Sequence, residues 1–345
     1  MPGAYLGFPF DAELFLLNWQ NAVDPVKAAL VASGAVAENS AIAGLIANGS
    51  NLYTVPFYNV LGGAEENYDG VANSTPAATT GGSQTGVVYG RMKSWKAQDF
   101  VVDFNSGADP MKQITSQVAK YWQKRAQETL IAILGGIFAI TDDNTDAWDA
   151  WQLHTTNIAL AASGSVGAGN VVGETTAGDT AQKACGDNAG IFSLAVMHSK
   201  VANTLAGKQL LQFRKYTDPM GIERTLNIAD WNGYTVLVDD GVPHAVNATS
   251  GAAEYTTYLF GNGAIQHASA PVKHPAEIGR DRLTAGGFDY LVTRKRETYH
   301  PNGFNFVLPT NTVSPTNVQL GTAANWKLCG VDPKAIPVAR IISNG

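Results

Sequence analysis

Charge is what this chain has least of. Lys, Arg, Asp and Glu make up 15% of its 345 residues, against roughly 25% in ordinary soluble domains. A lone soluble enzyme keeps a more heavily charged surface, so the deficit points to a subunit that hides much of its exterior against copies of itself. Cysteine is nearly absent. Cys185 and Cys329 are too few for a disulfide framework, and free buried thiols of a reducing cytoplasm are expected. No uninterrupted apolar run reaches the ~18 residues of a membrane span. The start, Met1-Pro2-Gly3, lacks the basic-then-apolar layout of a secretory leader. The formal net charge of −6 excludes a tight duplex binder held by phosphate contacts.

Chemical signatures are missing as well. The six histidines are His154, His198, His244, His267, His274 and His300, and no two fall at the spacing that sets paired ligands on one helical face. Structural or surface roles are expected for them rather than zinc binding. Neither cysteine has a CxxC partner. Gly164 to Asn170 (GSVGAGN) lacks a preceding apolar strand and the Gly-Lys-Ser/Thr of a phosphate loop, so it reads as a flexible loop. No Gly-x-Ser-x-Gly elbow occurs. Asp142-Asp143-Asn144-Thr145-Asp146 lacks the glycine and closing glutamate of a calcium loop and reads as solvated acids at a helix end. No catalytic, cofactor-binding or metal residue is assigned, no cofactor is expected, and the chain does not read as an enzyme.

What is present is a 45% apolar sequence, enough for a packed core. Asp11 to Gln20 and a stretch begun by Asp24-Pro25 and closed by Gly34 read as short helices of an extended arm. Tyr53, Val55, Phe57 and Tyr58 mark a strand that Pro56 confines to an edge. Gly62 to Gly86 has almost no core-forming residues, and Thr85 to Tyr89 returns as strand. Two strands around so long a polar tip make a projecting hairpin, with little to pack on in its own subunit.

The clearest element follows. Asp109-Pro110 caps a helix running to about Ile140, with Ile114, Val118, Tyr121, Trp122, Leu130, Ile133, Leu134 and Ile137 as its apolar stripe. Gly135-Gly136 is expected to loosen its last turns. Beyond it, Asp179 to Ala189 and Lys200 to Lys208 read as helices. Ile191 to Met197, Tyr234 to Val238 and Tyr255 to Phe260 read as strands, and the alternation implies an α/β or α+β unit. Phe288 to Arg296 and Thr298 to Val307 read as two closely joined strands, and PVARII near the end as a last one. Arg294-Lys295-Arg296 is the dense basic cluster. On a strand these residues alternate between faces, so pairing with a neighbouring subunit's acids near Glu65-Glu66 is expected rather than DNA binding.

That order of elements resembles the major capsid (coat) proteins of tailed phages with the Hong Kong 97-type fold. The stretches that carry the likeness are Ile114 to Ala139, Phe192 to Leu205, Trp231 to Pro243, Glu277 to Phe306 and Asn325 to Ile341. The resemblance covers almost the whole chain through element order, without one diagnostic motif. It implies an α+β capsid fold with an N-terminal arm (1–50), an extended E-loop hairpin (51–100), and a peripheral domain with the spine helix (101–177, helix about 109–140). An inserted axial domain (178–264) and the C-terminal part of the peripheral domain (265–345) complete it.

The implied function is a self-assembling icosahedral shell around a double-stranded DNA genome. The implied partners are further copies in hexamers and pentamers, a portal, weakly and non-specifically held DNA, and a decoration protein. No membrane is expected. The location is the virion, after assembly in the host cytoplasm. The ~50 residues before the hairpin are too few for a scaffolding domain with its own core, so a separate scaffolding protein is expected. A lysine–asparagine crosslink, with Lys93 or Lys96 and Asn302 or Asn305 as the nearest candidates, is not expected. An encapsulin-like nanocompartment shell and a soluble α/β enzyme are the alternatives.

Overall fold

The computed structural model describes residues 4–5, 8–9, 34–58, 61, 64–68, 73, 75–76, 78–99, 110–141, 145–217 and 223–345. The helices expected over 11–20 and from Asp24, the Asp109 cap and the acids Asp142 to Asn144 lie outside them. Two sheets share one long helix. The helix spans Pro110–Phe138, close to the expected bounds.

An eight-stranded mixed sheet runs in the order Thr155–Asn157, Val338–Ser343, Ala253–Gly261, Phe192–Met197, Tyr234–Val238, Glu223–Trp231 and Gln212–Thr217, with His244–Val246 added beside Ala253–Gly261. Its two faces belong to different cores, as the two-residue period of a strand dictates. Leu194, Val196, Leu237, Tyr258, Phe260 and Val338 face the long helix. Ala195, Met197, Val236, Leu259, Ala339 and Ile341 face the other way, onto the helices Thr176–Cys185 and Ser199–Gly207. Burial on both sides explains why Phe192–Met197 is one apolar run rather than an alternating one.

A five-stranded sheet is built on the strand Phe288–Pro301. Tyr89–Gln98 pairs along one edge. On the other, Ala276–Asp281 takes the first half and Ile265–Ala270 the second, all antiparallel. The strand Val36–Glu38 adds parallel to Ile265–Ala270. The expected two strands here are therefore one of 14 residues, followed by a short Phe304–Phe306. Lys295 and Glu297, two residues apart on one face of this strand, pair there, Nζ to Oε1 at 2.6 Å.

The long helix bridges the sheets. Val118 and Trp122 pack on Ala97, Ala276 and Leu291 of the five-stranded sheet. Leu130, Ile133, Leu134, Ile137 and Phe138 enter the core between both sheets, each contributing about 1.5–3 kcal/mol by burial. Gly135-Gly136 does not loosen the helix, which continues through both residues. Gly136 is a close-approach position: a Cβ there would lie 2.5 Å from the Leu320 carbonyl oxygen and 2.7 Å from Trp326 Nε1.

Before the hairpin, Asn39 caps the helix Ser40–Ala47, its Oδ1 accepting from the amides of Ala41 and Ile42 at 3.0 and 3.2 Å. That helix buries Ile42 and Ile46 against Tyr53, Val88, Ala268 and Ala270.

Candidate assembly interface

The hairpin consists of Leu52–Tyr58 paired antiparallel with Gly81–Val87. The expected polar tip is thus shorter at its far end, because Gly81 already belongs to the ladder. The glycines of the second strand have a physical use. A Cβ on Gly86 would overlap the ring of Tyr53, and one on Gly82 would lie 2.7 Å from Cζ of Phe57, so glycine lets both rings lie flat across the ribbon. Pro56 is tolerated because a two-stranded ribbon has only edges.

The root of the hairpin is tied to the body of the subunit. The amide of Thr85 donates to Asn305 Oδ1 at 2.7 Å, Gln84 Nε2 donates to the Pro301 carbonyl at 3.2 Å, and Tyr53 and Thr298 hydroxyls stand 3.3 Å apart. Burial raises the Tyr53 phenol to about 12 against that last contact. Toward the tip, Tyr58 is 84%, Leu61 79% and Tyr68 99% exposed, beside exposed Glu65 and Glu66. Large apolar side chains so bare are a surface awaiting a partner.

Where the arm strand and the long helix meet the five-stranded sheet, a groove of about 610 Å³ opens between the helix at Trp122 and Gln123 and the strands carrying His267 and Glu297. Its floor is charged. Glu297 is 7% exposed. Burial alone would raise its carboxyl, but His267 and the Lys295 ammonium outweigh that and hold it at about 2. The Lys295 ammonium also sits 4.9 Å from the Trp122 ring centre, and Trp122 Nε1 donates to Thr293 Oγ1 at 3.0 Å. Tyr89, fully buried beside Glu297, has its phenol pushed well up, first by burial and then by that carboxylate.

The basic cluster already has partners within the subunit. Arg294 pairs with Glu277, Lys295 with Glu297, and Arg296 Nη2 donates to the Ser50 carbonyl at 3.1 Å. The expected alternation between faces is present.

Of the histidines, His154 and His300 are buried and each meets a backbone carbonyl. His154 Nδ1 meets the Val338 carbonyl at 2.7 Å, and His300 Nε2 the Phe304 carbonyl at 2.9 Å. Burial lowers both, His300 to about 4. His198 caps the helix Ser199–Gly207, its Nδ1 accepting from the Lys200 amide at 3.1 Å. Cys185 and Cys329 are free and buried, with burial pushing the Cys185 thiol up to about 11. Among the described residues no group of three or more His, Cys, Asp or Glu is placed to hold a metal ion, and no helix is long and apolar enough to cross a membrane.

No family model matches the chain. It is 28% identical over 295 residues to the major capsid protein of Bacillus phage SPP1, covering 85% of this chain and 83% of that protein. Among solved structures it is similar to the capsid of Ralstonia phage GP4, with a TM-score of 0.56 at 9% identity over 90% of this chain and 86% of the other. The capsid asymmetric unit of cyanophage Pam1 gives 0.53 at 11% identity, covering 86% and 85%. The mixed helix-and-sheet fold is that of phage capsid subunits.

Proposed function

We infer that this chain is the major capsid protein of a tailed phage, a structural subunit that self-assembles into the virion shell. The observation that carries this is likeness along nearly the whole chain, in sequence to one phage coat protein and in fold to two phage capsids. Its action is geometric rather than chemical. A low charge content and a hairpin with bare aromatic residues at its far end suit repeated contact with copies of itself, where weak interfaces multiply through closed symmetry.

Within that reading we assign residues 1–50 to the arm, 51–100 to the hairpin, 101–177 and 265–345 to the peripheral domain, and 178–264 to the axial domain. In support, strands between Phe192 and Gly261 supply most of the eight-stranded sheet, while Thr155–Asn157 and Val338–Ser343 join it from the flanking segments. The hairpin lies on an adjacent subunit of a hexamer or pentamer. A separate scaffolding protein, a portal and a decoration protein are the further partners, and packaged double-stranded DNA is held weakly and without sequence preference. Assembly takes place in the host cytoplasm.

Electron microscopy of the expressed chain tests the reading. Closed isometric shells are expected. A species that stays near 36.4 kDa under every assembly condition would overturn it, and shells that enclose a co-purifying enzyme would point to a cellular compartment instead.

A further inference from the structure

The five-stranded sheet has one face on the long helix and a second face that is only half covered. Leu291, Thr293 and Lys295 of its central strand meet Val118 or Trp122 of the helix, so the even-numbered residues of that strand point the other way. At one end of the second face, Thr298, Ala268 and Ala270 lie under Tyr53 and the helix Ser40–Ala47. At the other end no described helix takes that place. Met92 is 77% exposed there, Ser94 and Lys96 are exposed, and Phe288, Tyr290 and Val292 are half-buried.

This bare half is flat and rich in rings. Phe288 and Tyr290 stand 6.1 Å apart, and the Lys96 ammonium lies 5.4 Å from the Phe288 ring centre. A Cβ on Gly279 would overlap the Tyr290 ring, so glycine lets that ring lie across the neighbouring strand, as Gly86 does for Tyr53 in the hairpin. The far end of the hairpin is the other bare surface, with Tyr58, Leu61 and Tyr68 beside Glu65 and Glu66. A ribbon whose rings lie flat can pack face to face on such a sheet.

Charge matches the two surfaces. Between Lys27 and Arg91 the sequence has no lysine or arginine, and its charges are Glu38, Glu65, Glu66 and Asp69. The strand Tyr89–Gln98 has Arg91, Lys93 and Lys96 and no acid. Within one chain the two surfaces are held apart, because Gly81–Val87 runs on into Tyr89–Gln98 through Val88 and leaves roughly 35 Å of extended chain between Gly81 and Met92. We propose that the bare half of this face is the seat for the hairpin tip of a second copy, with Glu65 and Glu66 beside Lys96 and the tip's apolar side chains on Met92, Phe288 and Tyr290. The inference rests on the shell reading above and names the acceptor surface. Donor and acceptor are different patches of one chain, so the contact runs head to tail and is completed when a ring closes.

Cysteine crosslinking in assembled particles tests it. Tyr68→Cys and Ser94→Cys are placed in one chain, at exposed positions, while Cys185 and Cys329 stay buried. A short bismaleimide should give a ladder of linked chains on a denaturing gel, and either single variant should give none. Tyr68→Cys with Lys124→Cys, whose second cysteine sits exposed on the long helix across the sheet, should lose the ladder. Particles of the first double variant that show no ladder, or a ladder equally strong with Lys124→Cys, overturn the proposal. If that double variant forms no particles, wild-type shells decide. Carbodiimide, which joins a lysine amine to a carboxylate and takes up the water released, should link Lys96 to Glu65 or Glu66 in the gel band of paired chains, read by peptide mass spectrometry. Absence of that link from the band is equally fatal. A wild-type chain that forms no particles at all fails the shell reading itself, whereas particles without the link fail only this proposal.

Discussion

Adding one methyl group at each of two adjacent glycines separates helix propensity from packing. In an exposed helix, Gly→Ala gains about 1 kcal/mol. At Gly135 a Cβ meets nothing within 4 Å, so Gly135→Ala should stabilise the chain by about that amount. Gly136 has the same helical setting and the opposite surroundings. Its Cβ would press on the Leu320 carbonyl oxygen at 2.5 Å and on Trp326 Nε1 and Cδ1 at 2.7 and 2.9 Å. Those groups already bond to each other, Nε1 donating to the carbonyl at 2.7 Å, and both residues are buried. To admit the methyl, the turn Asn317–Leu320 or the Trp326 ring must move. Overpacking costs about 1–3 kcal/mol, and a strained or broken buried hydrogen bond about 1–3 kcal/mol more. Against the propensity gain, Gly136→Ala should lose about 1–5 kcal/mol net. Urea denaturation of the unassembled chain followed by far-ultraviolet circular dichroism gives both values. Equal effects of the same sign at the two positions would refute the argument.

Four further outcomes follow from the same structure. Val118→Pro, at a buried position of the long helix, removes a backbone bond and clashes with the preceding turn for ~3 kcal/mol or more; insoluble protein is expected, and normal assembly would show that the helix is not one unit. Glu297→Gln should destabilise by about 3 kcal/mol at neutral pH. Because the folded carboxyl is held at about 2, below its ordinary value, its contribution is full above that ordinary value and fades as pH falls toward 2, so the gap from wild type should close in acid; a gap constant with pH contradicts this. Replacing residues 62–80 by a short turn should leave a soluble subunit and abolish stable shells, checked by sedimentation and electron microscopy, and particles of normal stability would mean the hairpin tip does not lock them. Free subunits should show no appreciable duplex binding by anisotropy at physiological salt, since Arg294 and Lys295 are already paired to carboxylates; tight, sequence-selective binding would be the contrary result.

Much of the architecture is legible in the sequence because it follows from local pattern. The stripe from Val118 to Ile137 fixes the long helix, and the apolar run of Phe192–Met197 fixes a strand covered on both faces. The single long strand was harder. Arg294 to Arg296 reads as a basic cluster for a neighbour's acids, and the fold shows Lys295 and Glu297 paired side by side on one face of the ladder. Gly135-Gly136 likewise looks like a soft spot until Leu320 and Trp326, far along the chain, come to lie against Gly136. The cluster around His267 leaves no sequence signal, since Glu38, His267 and Glu297 come from three strands and no spacing rule links them.

The strand Tyr89–Gln98 follows the hairpin after the single residue Val88 and pairs with Phe288–Pro301 through ten register positions. A pull on the hairpin along that line reaches the sheet as shear. Ladder bonds run perpendicular to the strands, so such a load is shared among all of them at once, as in a lap joint, whereas a sideways pull would open them singly. The subunit is therefore stiffer along the axis of the hairpin than across it, and tension entering there is spread over the sheet and onto the long helix that packs on the same strand at Ala97.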